Sequence, residues 1–178
     1  MAHKAEQKVA EAKVEAKREA AELKATPVVK KPAEAAKAGT AGGKNITKQP
    51  AGWTNGPDKN ILLATRPGLM YDQQKITVKA GQKIKLTFSN SDDMLHNAVI
   101  VMPGQADAIG ETATNMGLEG PKMHYVPKSD KVLFHTKLVS PGTSETIYFI
   151  APLKPGNYTI VCTYPGHYAT MQTTLVVQ

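Results

Sequence analysis

The sequence predicts an all-β fold, a Greek-key β-sandwich of seven or eight strands, on three observations. From about Ile61 onward, short segments alternate apolar and polar residues with period two, the pattern of strands that bury one face. Pro-Gly and Ala-Gly pairs stand between these segments, where turns are needed. One interior stretch, residues 104–120, breaks the rhythm and reads as a short helical flap insertion. Many short strands joined by Pro/Gly turns are the signature of a sandwich or barrel.

The elements follow in order. Ile76 and Val78 alternate with Lys75, Thr77 and Lys79, and after the Ala80-Gly81 turn Ile84, Leu86 and Phe88 alternate with Lys83, Lys85 and Thr87. Lysine on one face and branched or aromatic residues on the other describe two half-buried strands. Further strands are expected at His96–Met102, Val132–Val139, Thr143–Ala151, Tyr158–Cys162 and Thr173–Val177. Pro141-Gly142 and Pro155-Gly156 supply turns between the later ones.

At 178 residues, one domain with an appended segment is expected. Residues 1–50 carry 11 Lys/Arg against 6 Asp/Glu, whereas residues 51–178 carry 11 against 9. The basic excess therefore belongs to the N-terminal segment, and the near-neutral remainder lacks the basic face of a nucleic-acid-binding domain. Residues 4–25 are dominated by Ala, Lys and Glu, and residues 26–50 are rich in Pro, Ala, Gly and Lys. Residues 1–50 are thus expected to be a partly helical to disordered spacer and linker. Residues 51–178 form the folded domain in this reading. Binding of the basic segment to a membrane surface or a partner is the alternative. No run of about 18 apolar residues is present to span a membrane. No apolar leader core follows Met1 either. An address outside the cytoplasm would then mean a leader already removed, or a piece of a longer chain.

Cys162 is the only cysteine, so no intramolecular disulfide can form. It opens the run Cys162-Thr-Tyr-Pro-Gly-His167-Tyr-Ala-Thr-Met171. Thiolate, imidazole and thioether at these offsets are a donor set that favours copper, and His2Cys with a weak axial Met is the blue-copper arrangement. Tyr158, Ile160 and Cys162 share one strand face, which turns the thiol inward, away from water. A buried, inert cysteine is the competing reading, but the His and Met at fixed offsets on a Pro-Gly turn weigh against it. A second imidazole must come from elsewhere. His3 lies in the tail, His124 in a Pro-flanked loop and His135 within a strand, whereas His96 opens the apolar strand Ala98–Met102 after the turn-like Asn90-Ser-Asp-Asp93. His96 is the best placed.

Met94-Leu-His96-Asn97, Val132-Leu-Phe-His135-Thr-Lys-Leu138, Gly156-Asn-Tyr158 and the Cys162–Met171 run together resemble the cupredoxins of the azurin/auracyanin type, in the plastocyanin–azurin family. The likeness spans roughly residues 59–178. It implies a single type 1 copper per chain, with His96, Cys162 and His167 in the trigonal plane and Met171 axial. It further implies that the amides of Asn97 and Tyr164 donate to the Cys162 sulfur, and that the Asn97 side chain ties its loop to the ligand loop near Thr163. The His167 edge would emerge at one pole inside an apolar ring, for which Met70, Met94, Met116, Pro165, Gly166 and Tyr168 are candidates. There are departures from azurin. Leu95 stands where azurin has a glycine whose carbonyl approaches copper, which argues against a fifth ligand. Ala98 replaces a tryptophan, and the azurin disulfide is absent.

The function implied is one-electron transfer between Cu(II) and Cu(I) outside the cytoplasm, in the periplasm or a comparable compartment. Cytochromes or copper and haem enzymes would be the partners. A copper carrier or storage module, or the electron-transfer domain of a larger redox protein, is the alternative. A copper oxidase or nitrite reductase would place a His beside the type 1 Cys. Val161 and Thr163 occupy those positions, so no enzymatic activity is expected. A dinuclear copper site would need two cysteines.

Overall fold

The structure, a computed structural model, describes residues 43–178. The expected spacer helix in residues 4–25 lies outside the described residues. The described chain contains nine strands. They are β1 Lys59–Arg66, β2 Met70–Tyr71, β3 Lys75–Val78, β4 Lys83–Ser89, β5 Val99–Val101, β6 Val132–His135, β7 Ser144–Ile150, β8 Gly156–Val161 and β9 Gln172–Val177. A four-stranded sheet runs β2-β1-β4-β7 and a five-stranded sheet runs β3-β9-β8-β5-β6. The pairs β1–β4 and β3–β9 are parallel and the others antiparallel. The expected β-sandwich is present, as two mixed sheets.

β4 shows most directly why these residues form strands. Ile84, Leu86 and Phe88 are fully buried, while Lys83, Lys85, Thr87 and Ser89 stand on the half-exposed face. Each such side chain contributes about 1.5–3 kcal/mol by leaving water. They meet Ile147 and Phe149 of β7, Ile61 and Leu63 of β1, Tyr158 and Ile160 of β8, and Cys162 just beyond β8 in one core between the sheets. The thiol that strand parity turned inward thus lies at the end of the main core.

Three local features differ from the sequence reading. β1 and β2 are additional to the strands expected in order, and β1 keeps an apolar residue, Leu62, on its outer face. β5 and β6 are shorter than expected because His96 makes only an isolated bridge to Val139, and the Ala98 amide is taken by the Thr136 hydroxyl at 2.9 Å. The chain also joins the body before residue 51. Lys44 bridges to Phe134, the Tyr148 amide donates to the Ile46 carbonyl at 2.8 Å, and Trp53 packs edge-on to Tyr148.

The interruption at 104–120 contains helix α1, Ala106–Thr114, and a 3-10 turn at Gly117–Glu119, and a second 3-10 turn, Pro121–Met123, extends the flap beyond it. This flap covers the outer face of the five-stranded sheet. Ala106 and Ile109 of α1, with Val126, pack on Val99, Val101, Val132 and Val161 in a second core. β5 is therefore buried on both faces, as is β8 at its Val161 end. Gly110 lets α1 approach the ligand run, since a Cβ there would sit 2.1 Å from Tyr168 Cγ.

Candidate metal centre

The run from Cys162 to Met171 is the connection between β8 and β9. It is closed at its base by the Cys162 amide, which donates to the Met171 carbonyl at 3.0 Å. Within it, the His167 amide donates to Tyr164 O at 3.0 Å and the Met171 amide to His167 O at 2.9 Å. Gly166 holds φ +84°, a backbone state that favours glycine, so the chain can reverse between the two donors. This loop brings the Cys162 side chain to His167. The pairing of β5 with β8 then brings up His96, three residues before Val99, which pairs with Val161 at the end of the antiparallel ladder.

The three donors converge in a buried cluster. Cys162 Sγ lies 3.7 Å from His96 Nδ1 and 3.6 Å from His167 Nδ1, and the two Nδ1 atoms are 3.2 Å apart. One ligand atom from each residue lies within 4.8 Å of the others. Met171 is fully buried beside them, in the same core cluster as Cys162. Bond lengths near 2 Å to imidazole and 2.3 Å to thiolate, as known for a comparable divalent ion, are compatible with this spacing. The donor set, two imidazoles and a soft sulfur in a dry site, fits copper.

Burial disfavours a proton on either imidazole and retains one on the thiol. Burial lowers both His96 and His167 from the usual histidine value, and at His167 the neighbouring His96 adds to the effect. Both rings are therefore neutral and able to ligate at neutral pH. Burial pushes the Cys162 thiol up to about 11, opposed by hydrogen bonds from the Asn97 and Tyr164 amides to the sulfur. A metal on the sulfur displaces that proton, so uptake releases it. Without metal, a folded value above the unfolded one of about 8.5 means the protonated thiol favours the fold at low pH. That contribution is lost as pH rises from about 8.5 through about 11. The unfolding free energy of the metal-free protein is expected to fall in that window. Cys162→Ala should remove on the order of 3 kcal/mol of the fall, as measured by urea unfolding at a series of pH values. A wild-type minus variant difference that stays flat across the window would contradict this.

Around the donors, Asn97 is the central support and is fully buried. Its Oδ1 accepts the Thr163 amide at 2.8 Å, and its Nδ2 donates to Thr163 Oγ1 at 2.9 Å and to the His124 carbonyl at 2.8 Å. Its own carbonyl accepts the Tyr71 hydroxyl at 2.7 Å. Asn97 thus ties together the His96 loop, the ligand loop, the flap and β2. Thr163 is buried, and Tyr164 is half-buried with its ring 4.9 Å from that of His167.

Sequence reasoning missed several of these groups. Tyr71 is buried beside the thiol, and its hydroxyl is pushed well above the usual tyrosine value, by burial first and by the nearby Cys162 second. His124 contributes through its carbonyl from a left-handed backbone position, φ 54° and ψ 27°. Asn90 fixes the loop before His96 by donating to Met94 O at 2.7 Å and Val139 O at 2.9 Å. Only Asn90, inside the Asn-Ser-Asp-Asp cluster, carried a turn signal; the others depend on pairings between distant segments. His135 is half-buried in β6, with Nδ1 3.0 Å from the Thr136 carbonyl, and stands apart from the donor cluster.

The candidate ring residues divide. Gly166 is exposed, and Pro165, Met70 and Met116 are half-buried. Met94 is 41% exposed and borders a surface hollow of about 520 Å³ with Arg66, Asp92 and Asp93. Tyr168 is half-buried and packs against the second core beside Gly110 of the flap. The flap also presents Leu118, 92% exposed, which the sequence reading did not single out. His167 itself keeps only 3% of its surface exposed.

A family model of copper-binding proteins, the plastocyanin/azurin family, matches residues 60–178. The chain belongs to this family. Among relatives, Auracyanin-A of Chloroflexus aurantiacus is 36% identical over 113 residues, covering 61% of this chain and 67% of that protein. Azurin-1 of Alcaligenes xylosoxydans xylosoxydans is 31% identical over 121 residues, covering 64% of this chain and 92% of that protein. The solved structure of dithionite-reduced auracyanin from Roseiflexus castenholzii superposes with a TM-score of 0.61 at 37% identity, over 69% of this chain and 99% of that one. Auracyanin A, described as a blue copper protein, superposes with a TM-score of 0.60 at 32% identity, over 67% of this chain and 98% of that one. As a member of the plastocyanin/azurin family the chain is a copper protein, and His96, Cys162 and His167 with the buried Met171 supply the donor set of a type 1 copper site.

Proposed function

We propose that the chain is a type 1 copper electron-transfer protein that passes single electrons between redox partners outside the cytoplasm. The observation that carries this reading is the convergence of Cys162 Sγ with the Nδ1 atoms of His96 and His167 in a water-excluded site. Bound copper supplies the Cu(II)/Cu(I) couple. His96, Cys162 and His167, with the Met171 thioether, are the residues that would hold it. The protein's task is then to keep these donors still. Cys162 is held by β8, His96 by the Asn90 and Asn97 bonds, and His167 by its hydrogen-bonded turn. A site with little freedom to rearrange suits exchange of one electron, because neither oxidation state pays for moving its ligands.

Electrons would pass at the His167 edge, the ligand nearest the exposed Gly166 and half-buried Pro165. Met70, Met94 and Met116 would supply apolar contact for brief docking of small area. No helix among the described residues is long and apolar enough to cross a membrane. The flanking Val161 and Thr163 offer no imidazole to connect a second copper centre, in keeping with a carrier. The test is to load the protein with one equivalent of Cu(II) and follow reversible one-electron voltammetry and exchange with a c-type cytochrome. Fast exchange with copper retained is expected. Stoichiometric loss of copper to an acceptor protein, with slow electron exchange, would instead identify a copper carrier.

A further inference from the structure

The His96 ring has one nitrogen without a partner. Nδ1 faces the other donors, so a metal bound there leaves the ring proton on Nε2. Nε2 is buried and makes no hydrogen bond to the protein. A metal-ligating histidine almost always donates its other N–H to a carboxylate, a carbonyl or a water. The group facing Nε2 is the Asp92 carboxylate, with Oδ2 3.4 Å away, one helical-type step earlier in the chain. The loop is built to put it there. The Asp92 amide donates to Asn90 Oδ1 at 3.0 Å, and Asp92 Oδ1 accepts the Asp93 amide at 2.7 Å, which leaves Oδ2 free to face the ring. Asn90 is itself buried and anchored to Met94 O and Val139 O.

We propose that Asp92 is a positioning residue for the copper site: its carboxylate receives the His96 Nε2–H, fixes the ring's tautomer and places a negative charge against the ligand. The inference rests on the copper reading of the cluster. With the proton held on Nε2, Asp92 Oδ2 at 3.4 Å is the carboxylate oxygen placed to accept it. An anion behind a ligand stabilises the higher metal charge more than the lower one, so Asp92 favours Cu(II) over Cu(I) and holds the reduction potential down.

The charge can be removed with little change of shape. Asp92→Asn keeps an Oδ1 acceptor for the Asp93 amide while removing the negative charge. It is expected to lower Cu(II) affinity about tenfold relative to Cu(I), within the range for groups that support a metal ligand. That factor raises the midpoint potential by about 59 mV for a one-electron couple. Asp92→Glu should restore most of the wild-type value. Asp93→Asn removes an exposed charge next door and serves as the through-space control. A potential for Asp92→Asn that equals wild type, or moves no further than that of Asp93→Asn, overturns the proposal while leaving the copper site intact. If the wild-type protein forms no thiolate–copper band at all, both this inference and the function fall together. A second measurement does not depend on any variant. In the diamagnetic Cu(I) protein, long-range 1H–15N spectra should show the His96 Nε2 proton in slow exchange with water. A proton on Nδ1, or an Nε2 proton lost to rapid exchange, overturns the assignment.

Discussion

Cys162→Ser is expected to abolish the intense visible absorption that Cu(II) gives with the wild-type protein. The band belongs to charge transfer from a thiolate to copper, and Cys162 is the only sulfur thiol in the chain. A serine hydroxyl keeps the size of the group but stays protonated where a copper-bound thiol gives up its proton. Two imidazoles, His96 and His167, would remain 3.2 Å apart through their Nδ1 atoms. They can still take up Cu(II), as a colourless or weakly coloured adduct with ordinary rather than compressed EPR hyperfine splitting. Affinity for Cu(II) should drop by at least about 100-fold, the upper end of what losing a merely supporting group costs. The fold should survive, because a hydroxyl in place of a thiol leaves β8 and the main core nearly unchanged in volume. Titration with Cu(II), followed by absorption and EPR, reads the result. An intense blue band that persists in Cys162→Ser would remove the thiolate from the site and the type 1 assignment with it.

That experiment concerns the part of the site most legible in the sequence, and the reason is local. Cys162, His167 and Met171 lie on one connection between adjacent antiparallel strands, so offsets along the chain translate directly into proximity. Strand parity turned Cys162 inward together with Tyr158 and Ile160, and all three lie in the main core. The strict alternation of β4 was legible for the same reason: one face meets the other sheet and the opposite face meets water. β1 was harder to read because Leu62 sits on its outer face and blurs the alternation. β5 and β8 carry no polar face where the flap covers them, since Val99, Val101 and Val161 are buried beneath α1. Period-two reasoning has no signal for a second core.

The supporting groups were the least legible. Tyr71 reaches Asn97 across the packing of β2, the Thr136 hydroxyl meets the Ala98 amide from just beyond β6, and Asp92 approaches His96 only because Asn90 shapes the intervening turn. None of these side chains announces its role by type, and each depends on a register between segments. The resemblance to cupredoxins supplied Asn97 and Thr163 as a linked pair, and hydrogen bonds at 2.8 and 2.9 Å join them in the structure. It did not supply the link onward to the flap through the His124 carbonyl.

Asn97→Ala tests how much that link matters, and it is expected to have a large effect on stability. The substitution leaves two groups without their partner in a dry region, the Thr163 amide and the His124 carbonyl. Each buried polar group stranded in this way costs about 1–3 kcal/mol. Because the Thr163 hydroxyl can turn to take up part of the loss, a total of about 3 kcal/mol is expected in the metal-free protein. For a domain of this size that corresponds to a fall in Tm of roughly 10 °C. The consequence for the copper site is separate and should be visible even where the fold holds. Thr163 adjoins Cys162, and Asn97 adjoins His96, so the side-chain bridge fixes the two loops that carry those donors relative to each other. Without it, the imidazole and the thiolate can move apart when copper changes charge. Electron exchange should then slow, and the EPR spectrum of the Cu(II) form should broaden or divide into more than one species. Asn97→Asp keeps an oxygen acceptor for the Thr163 amide but loses the donor to His124. Its copper spectrum should therefore stay closer to wild type than that of Asn97→Ala. If thermal unfolding and EPR of Asn97→Ala both match wild type, the bridge contributes neither stability nor rigidity. The holding of the two loops would then have to come from β5–β8 pairing alone.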